Sequence, residues 1–434
     1  MYKIIKKLLP VIFLVLSLNV MAQENTGLNL EQLVQEAIEN NPQLKAARNR
    51  TQAARTRIRQ VKAWDAPQIG IEFYQTPVQS FPDPIKNGME TDYFIQQMFP
   101  FPGKLSAMGE SAQKNAGMID QEYKSLERKI ILELKTGYYE LYLVQRKLSI
   151  NSENQELMKK FIEIALKQYE VGMGIQADIL RAQTELSTLK NEEINLQQQQ
   201  KIVTGMINVL MNHPVTDFLG MIAEIQPAVP QWTFDQLQPI ALENRPELSG
   251  MRYAVGMNVA ELSLSRREYY PDLMTKLMYK NMTDTRNDFW SVMIGINFPL
   301  AFWSSRKYTS QVEENKLRVA EAENDQDQMK NMIQYEVQTA LVKWQSSYNT
   351  LQLYKSTSIP QAEQTLQSTL TAYQTGKTEF LMVIDAYRML LMVKLDYQMS
   401  LMNYLTSLAE LEQAVGMDVD KIEKYIHSNY TKEK

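Results

Sequence analysis

Apolar positions in this chain follow two periods that alternate in blocks. From Asn29 to about residue 62, and again from Thr233 to about residue 268, the pattern predicts a helix. Asn29 with Gln32, and Thr233 with Gln236, set an N-cap residue three positions before a glutamine, the spacing of a capping box. The period then falls to two. Ile69, Ile71 and Phe73 alternate with Gly70, Glu72 and Tyr74, and a second run, Tyr93 to Phe99, follows a loop rich in Pro, Asp, Asn and Gly. Later, Leu273, Thr275, Leu277 and Tyr279 alternate with Met274, Lys276, Met278 and Lys280. Beyond a turn at Asp284–Asp288, Trp290, Val292, Ile294, Ile296 and Phe298 alternate with more polar neighbours. Each pair of runs predicts a β-hairpin.

Behind each hairpin the helical period returns and persists. Residues 104–168 contain no proline, and Leu126, Ile130, Leu134, Tyr138, Leu141 and Leu148 keep the spacing of a coiled-coil seam. At 1.5 Å per residue this stretch extends ~100 Å. It ends at Tyr169-Glu-Val-Gly-Met-Gly-Ile-Gln176, where two glycines reverse the chain, and a helix returns over 176–211. Residues 304–373 repeat the long helix, with a kink predicted at Pro360, before a turn at Thr375–Thr378 and a return helix over 379–416.

These blocks are two copies of one unit. Asn29–Leu44 aligns without gaps with Thr233–Leu248, and the same offset of 204 pairs Pro67 with Pro271, Tyr169 with Tyr373 and Gly172 with Gly376. One register held through four separated landmarks indicates tandem duplication. The expected organisation is a signal segment at 1–22 and a first repeat at 23–211 with its hairpin at about 66–100. A lateral element follows at 212–232, then a second repeat at 233–416 with its hairpin at about 271–299, and a tail at 417–434, frayed and polar from Ser428.

The leading segment places Lys3, Lys6 and Lys7 before an apolar run, Leu8 to Val20, too short to span a bilayer and closed by Val20-Met21-Ala22. That order is a secretory signal cut after Ala22. The chain has no cysteine, so it forms no disulfide and is not lipidated through an N-terminal cysteine. A net charge of -4 in a Gln- and Leu-rich chain argues against a nucleic-acid partner.

The four strands are each about ten residues long, enough to cross a membrane at a tilt, and aromatics such as Trp64, Phe99, Phe101, Tyr269, Tyr270, Trp290, Phe302 and Trp303 crowd their ends. Soluble hairpins packed on helices would show the same alternation. In a bilayer, however, unpaired strand edges are too costly to leave open, and four strands cannot close a barrel. Copies must then associate around an axis: a dimer gives eight strands and a filled interior, a trimer twelve and room for a pore.

Duplicated halves, paired hairpins, long helices and two Tyr-x-x-Gly turns together resemble the TolC family of outer-membrane efflux ducts, over essentially the whole mature chain. Phe99-Pro-Phe-Pro-Gly-Lys104 is similar to the heavy-metal branch typified by CzcC and CusC. The resemblance implies a mainly α-helical, duplicated fold whose protomers form a homotrimer, with a twelve-stranded barrel in outer-membrane lipid and a helical tunnel through the periplasm. It further implies a passive duct served by a periplasmic adaptor (membrane fusion protein) and an inner-membrane RND-type pump. By position, Tyr169, Gly172, Gly174, Tyr373, Gly376 and Lys377 correspond to the tip where the adaptor docks. Asp178 and Asp385 correspond to the acidic residues ringing the closed entrance, while Met382 and Arg181 stand where the family's other two acids would be. Read alone, the two aspartates equally fit helix-start carboxylates that complement the dipole.

Met382, Asp385, Met389, Met392, Asp396 and Met399 form one stripe at heptad spacing, in a chain with 25 methionines. Thioethers are soft ligands suited to Cu(I) or Ag(I), so Met382, Met389, Met392 and Met399 are candidate metal contacts; adaptable seam packing explains the same stripe. With two histidines and no cysteine a tight metal site is not expected, nor is any cofactor. HExxH, Gly-x-Ser-x-Gly, P-loop and dinucleotide patterns are absent, which argues against an enzyme. Two rivals remain: a TolC-type duct for drugs or type I protein secretion, and a secreted coiled-coil structural protein.

Overall fold

The computed structural model describes residues 28–80, 88–227, 231–282, 287–299 and 301–430; the signal segment at 1–22 lies outside them. In chain order the elements are α1 (Leu30–Asn40), α2 (Pro42–Lys62), β1 (Gln68–Tyr74), β2 (Glu90–Phe99), α3 (Lys104–Glu170) and α4 (Gln176–Met211). The second copy gives α5 (Phe234–Asn244), α6 (Pro246–Arg267), β3 (Leu273–Met282), β4 (Phe289–Ile296), α7 (Ser305–Leu353), α8 (Ile359–Gln374) and α9 (Phe380–Val415), followed by α10 (Val419–Tyr430).

The chain divides into two compact units. Among the described residues, one comprises residues 28–37, 133–227 and 347–406; the other comprises residues 38–132, 231–346 and 407–430 and holds the sheet.

The first helix of each repeat is in fact two. Pro42 and Pro246 disfavour helix at the residue before them, so the chain breaks at Asn41 and Arg245 and restarts with proline in the first turn. The copies solve the restart differently. Asn41 Oδ1 accepts from the Gln43 and Leu44 amides at 2.9 and 3.2 Å. Arg245, 7% exposed, instead donates to Glu247 at 2.7 Å, to Glu336 at 2.8 Å and to the Ala414 carbonyl at 3.0 Å. At the repeat starts the Thr233 amide donates to Gln236 Oε1 at 3.0 Å, as a capping box requires. Asn29 departs from that pattern, its side chain accepting from Glu31 two residues on. Pro360 is accommodated by a π-helical turn, Tyr354–Ser358, just ahead of it, which relieves the clash of the ring with the preceding turn.

The tail expected at 417–434 is a helix as far as Tyr430. Ile422 is fully buried and Arg128 holds Asp418 at 2.8 Å. Burial opposes ionisation of Asp418, but hydrogen bonds and charge from Lys421 and Arg128 outweigh it and hold the carboxyl below its ordinary range. The segment 212–227 has no regular structure beyond a turn. Asn212 takes a left-handed conformation, and the Asn208 side chain ties the segment down by donating to the Asp217 carbonyl at 2.8 Å.

All four strands form one antiparallel sheet in the order β1-β2-β3-β4, so the hairpins of the two repeats join through β2 and β3. The register stacks Ile69 on Ile95, Ile95 on Leu277 and Leu277 on Val292, and sets Tyr279 against Trp290. Successive side chains alternate across a sheet, so one face carries Ile69, Ile71, Phe73, Tyr93, Ile95, Leu277, Trp290, Val292 and Ile294. These stand open: Ile69 is 79% exposed, Val292 and Ile294 70% each. The other face carries Glu72, Glu90, Asp92, Lys276 and Lys280. There Lys280 pairs with Glu90 at 2.5 Å and Asp92 at 3.2 Å, and Lys276 lies 3.7 Å from Glu72 and 4.0 Å from the centre of the Phe94 ring. That ring covers Gly70, where any Cβ would come within 2.5 Å of it.

Candidate functional site

The sheet meets the helices at Phe99–Lys104. Gly103, at φ +93°, turns the chain, and the Phe101 ring stacks on Tyr270 at 4.5 Å. Asp272 accepts from the Phe101 amide and from Lys104 Nζ, both at 2.7 Å. Trp64 meets Phe99 edge-on at 5.1 Å. The motif that resembles the metal branch therefore builds a corner. Its one charged side chain is committed to Asp272 and, at 3.1 Å, to the Tyr270 carbonyl.

At the other candidate region, α3 and α8 end in Schellman turns. Met173 donates to the Gln168 carbonyl and Lys377 to the Ala372 carbonyl, while Gly172 and Gly376 take φ of +75° and +69°. Nothing lies within 4 Å of a Cβ built on either glycine, so the positive φ alone accounts for the residue. Gly174 has no such conformation; a Cβ there would crowd the Tyr169 amide at 3.1 Å. Around the first turn Val171, Met173, Ile175 and Leu180 are all more than half exposed. Lys377 is exposed too.

The duplicated tyrosines have diverged. Tyr169 is 48% exposed, whereas Tyr373 is 5% exposed and its hydroxyl donates to Asp178 at 3.5 Å. Burial first, and the Asp178 charge second, push Tyr373 up to about 12. Asp178 is itself 6% exposed, with Arg181 at 3.8 Å. In this protomer its carboxylate is occupied by a tyrosine 195 residues away, an arrangement the local sequence pattern could not signal. Asp385 differs: it stands exposed on α9, one turn before Arg388, which is paired with Glu185 on α4. No local sequence pattern signals that link, because neither residue belongs to a turn motif.

The inward face of α9 is Phe380, Val383, Ile384, Tyr387 and Leu390, all packed with Met158, Phe161, Ala182 and Leu366. Tyr387 is buried with its hydroxyl unpartnered, and burial followed by the nearby Glu185 charge raises its pKa strongly. Met382, Met389, Met392 and Met399 occupy the opposite face, 53%, 48%, 57% and 39% exposed. They are not packing residues of this core. Asp396 is half-buried and accepts from the Tyr354 hydroxyl at 3.4 Å. No cluster of three or more His, Cys, Asp or Glu suited to a metal ion occurs among the described residues.

Comparison with known proteins agrees with this architecture. The family model described as outer membrane efflux protein matches residues 33–206 and 237–417, two blocks whose starts are separated by the repeat offset. The outer membrane protein TolC of Vibrio cholerae is 22% identical over 433 residues, 95% of each chain. The cobalt-zinc-cadmium resistance protein CzcC of Cupriavidus metallidurans is 20% identical over 298 residues, 68% of this chain and 69% of that one. Among solved structures, CusC superposes with a TM-score of 0.76 at 18% identity, covering 92% of this chain and 96% of its own. The chain belongs to the outer membrane efflux protein family: it is a subunit of a passive outer-membrane channel, not an enzyme, with a TolC-like duplicated fold that gives four strands to the barrel.

Proposed function

We propose that three copies of this chain form the exit duct of a tripartite efflux assembly, with a periplasmic adaptor docked at the Gly172 and Gly376 turns and an RND-type pump driving export. The observation that carries this reading is the sheet: one face predominantly apolar, the other bearing the charged side chains, and edge strands β1 and β4 without partners among the described residues of the protomer. In hydrocarbon such edges must pair, and pairing with identical copies closes them. The exposed apolar side chains around Gly172 suit an adaptor tip. Asp385 is the entrance carboxylate this arrangement favours, because Asp178 is taken up by Tyr373.

The proposed cargo is heavy-metal cations. Support comes from the likeness to CzcC and from the exposed Met382, Met389, Met392 and Met399 flanking Asp385. A second reading, a duct for drugs or proteins, is favoured by the likeness to TolC, which spans more of the chain. Deleting the gene decides between them. The metal reading predicts sensitivity to copper, silver or cobalt with little change toward dyes, detergents and antibiotics; unchanged metal tolerance with lost drug tolerance supports the second reading instead.

A further inference from the structure

All methionines in the four strands lie on one face. Met98, Met274, Met278, Met282 and Met293 share the parity of Glu90, Asp92, Lys276 and Lys280, and the lipid-facing positions contain none. Hydrophobicity alone predicts the reverse, since a thioether is at home in hydrocarbon while the opposite face is charged. The apolar face carries Ile, Leu, Val, Phe, Tyr and Trp instead, with Thr91, Gln97, Thr275 and Asn281 among them.

Three of the five group toward the end of the sheet that joins the helices. Met98 lies directly opposite Met274 across β2 and β3, a position that sets Cβ atoms about 4.5–5.5 Å apart. Met274 in turn lies opposite Gly295. The missing side chain there leaves room for it, the Met274 methyl coming within 3.1 Å of where a Cβ would stand. Met293, two residues before Gly295, is its diagonal neighbour on the same face. Lys276, directly opposite Met293, turns its ammonium the other way, onto the Phe94 ring and toward Glu72. The three are thus neutral, soft donors grouped on the face that carries the charged side chains.

We infer that Met98, Met274 and Met293 form a thioether patch that coordinates a soft monovalent cation, Cu(I) or Ag(I), on the wall that cargo passes. The inference rests on the duct reading for the face to be the lumen. Weak multi-ligand contact of this kind suits conduction, where an ion must bind and leave. Thioethers do not titrate, so capture by the patch is independent of pH across the range in which carboxylate sites protonate.

The test is a triple variant, Met98→Leu, Met274→Leu and Met293→Leu, which keeps side-chain volume, beside Met158→Leu, a fully buried control in the helical core; all proteins compared, the reference included, also carry Met382→Leu, Met389→Leu, Met392→Leu and Met399→Leu so that the α9 thioethers do not contribute. Silver(I) is titrated calorimetrically into the detergent-solubilised protein in nitrate buffer, and silver block of potassium current is recorded in planar bilayers. The reference and Met158→Leu should bind silver equally at mildly acidic and neutral pH and show reversible block. The triple variant should need about tenfold more silver or higher, with open conductance unchanged. Reference-level silver binding and block in the triple variant would overturn the patch, as would binding that falls with protonation of carboxylates. Absence of any current in the reference would contradict the duct reading, and the titration would still decide the patch.

Discussion

The assignment of sheet faces makes a quantitative prediction that depends on depth in the bilayer. Leu273 and Leu277 are on the same apolar face of β3 and are equally exposed in the protomer, 41% each. A ten-residue strand rising about 3.3 Å per residue at about 40° of tilt spans ~25 Å, the height of a barrel's apolar band. Leu277 then sits near the midplane and Leu273 at the band's edge, ~10 Å away. Lysine at the midplane costs about 2–4 kcal/mol, falling to about 0–1 near the interface. Leu277→Lys should therefore cost a trimer about 6–12 kcal/mol, Leu273→Lys a small fraction of that, and Ser291→Lys, at similar depth on the polar face, close to nothing. Urea-titrated folding into phospholipid vesicles, followed by tryptophan fluorescence and by the heat-sensitive mobility of the trimer, measures all three. Equal penalties at 273 and 277 would refute the reasoning, because a sheet buried against soluble protein has no such gradient between equally exposed positions.

Other regions give independent tests. Arg245→Met strips the cation from Glu247, Glu336 and the Ala414 carbonyl and should destabilise by about 2–4 kcal/mol in chemical unfolding. Arg245→Asn installs the residue found at the equivalent Asn41 and should recover about 1 kcal/mol through its cap. For Tyr373 the folded pKa is raised from 10.0 to about 12, so its stabilising contribution is complete below about pH 10 and is lost as pH climbs toward about 12. Thermal melts by circular dichroism should show a shallower alkaline decline in Tyr373→Phe, and identical slopes would argue against the Asp178 link. Asp385→Asn should lower cation selectivity and weaken block by multivalent cations without loss of trimer stability, whereas wild-type values would return Asp385 to a helix-dipole role. Gly376→Val forces a β-branched residue to φ +69° and should cost about 1–2 kcal/mol and impair adaptor pull-down with selectivity intact.

The sequence was most legible where one residue type answers one local demand. Positive φ at Gly172 and Gly376, the Gln236 cap and the alternation of Ile, Val and Leu in the strands are of this kind, and the repeat register doubles each signal. The breaks at Asn41 and Arg245 were also written locally, in the prolines that follow, but they lie inside an otherwise continuous helical period and read as one helix. Val419, Ile422 and Ile426 carry helical spacing, yet in a short polar segment that spacing is weak until Ile422 finds its core. What could not be read is what the fold brings together from afar: Tyr373 over Asp178, Arg388 against Glu185, Lys104 on Asp272. In the sequence Tyr373 marks a turn, and Asp178 corresponds to an entrance carboxylate of the resembling family. The structure shows the two occupying each other, since a buried carboxylate must be satisfied and the nearest donor lies in the other repeat.

Channel formation is the claim on which the rest depends, and conductance of the purified protein tests it most directly. Mature chain extracted from outer membrane with detergent should run at three protomer masses, fall to one only on denaturation, and insert into planar bilayers as uniform, cation-preferring channels. A soluble monomer, or a trimer that inserts without carrying current, would contradict the account.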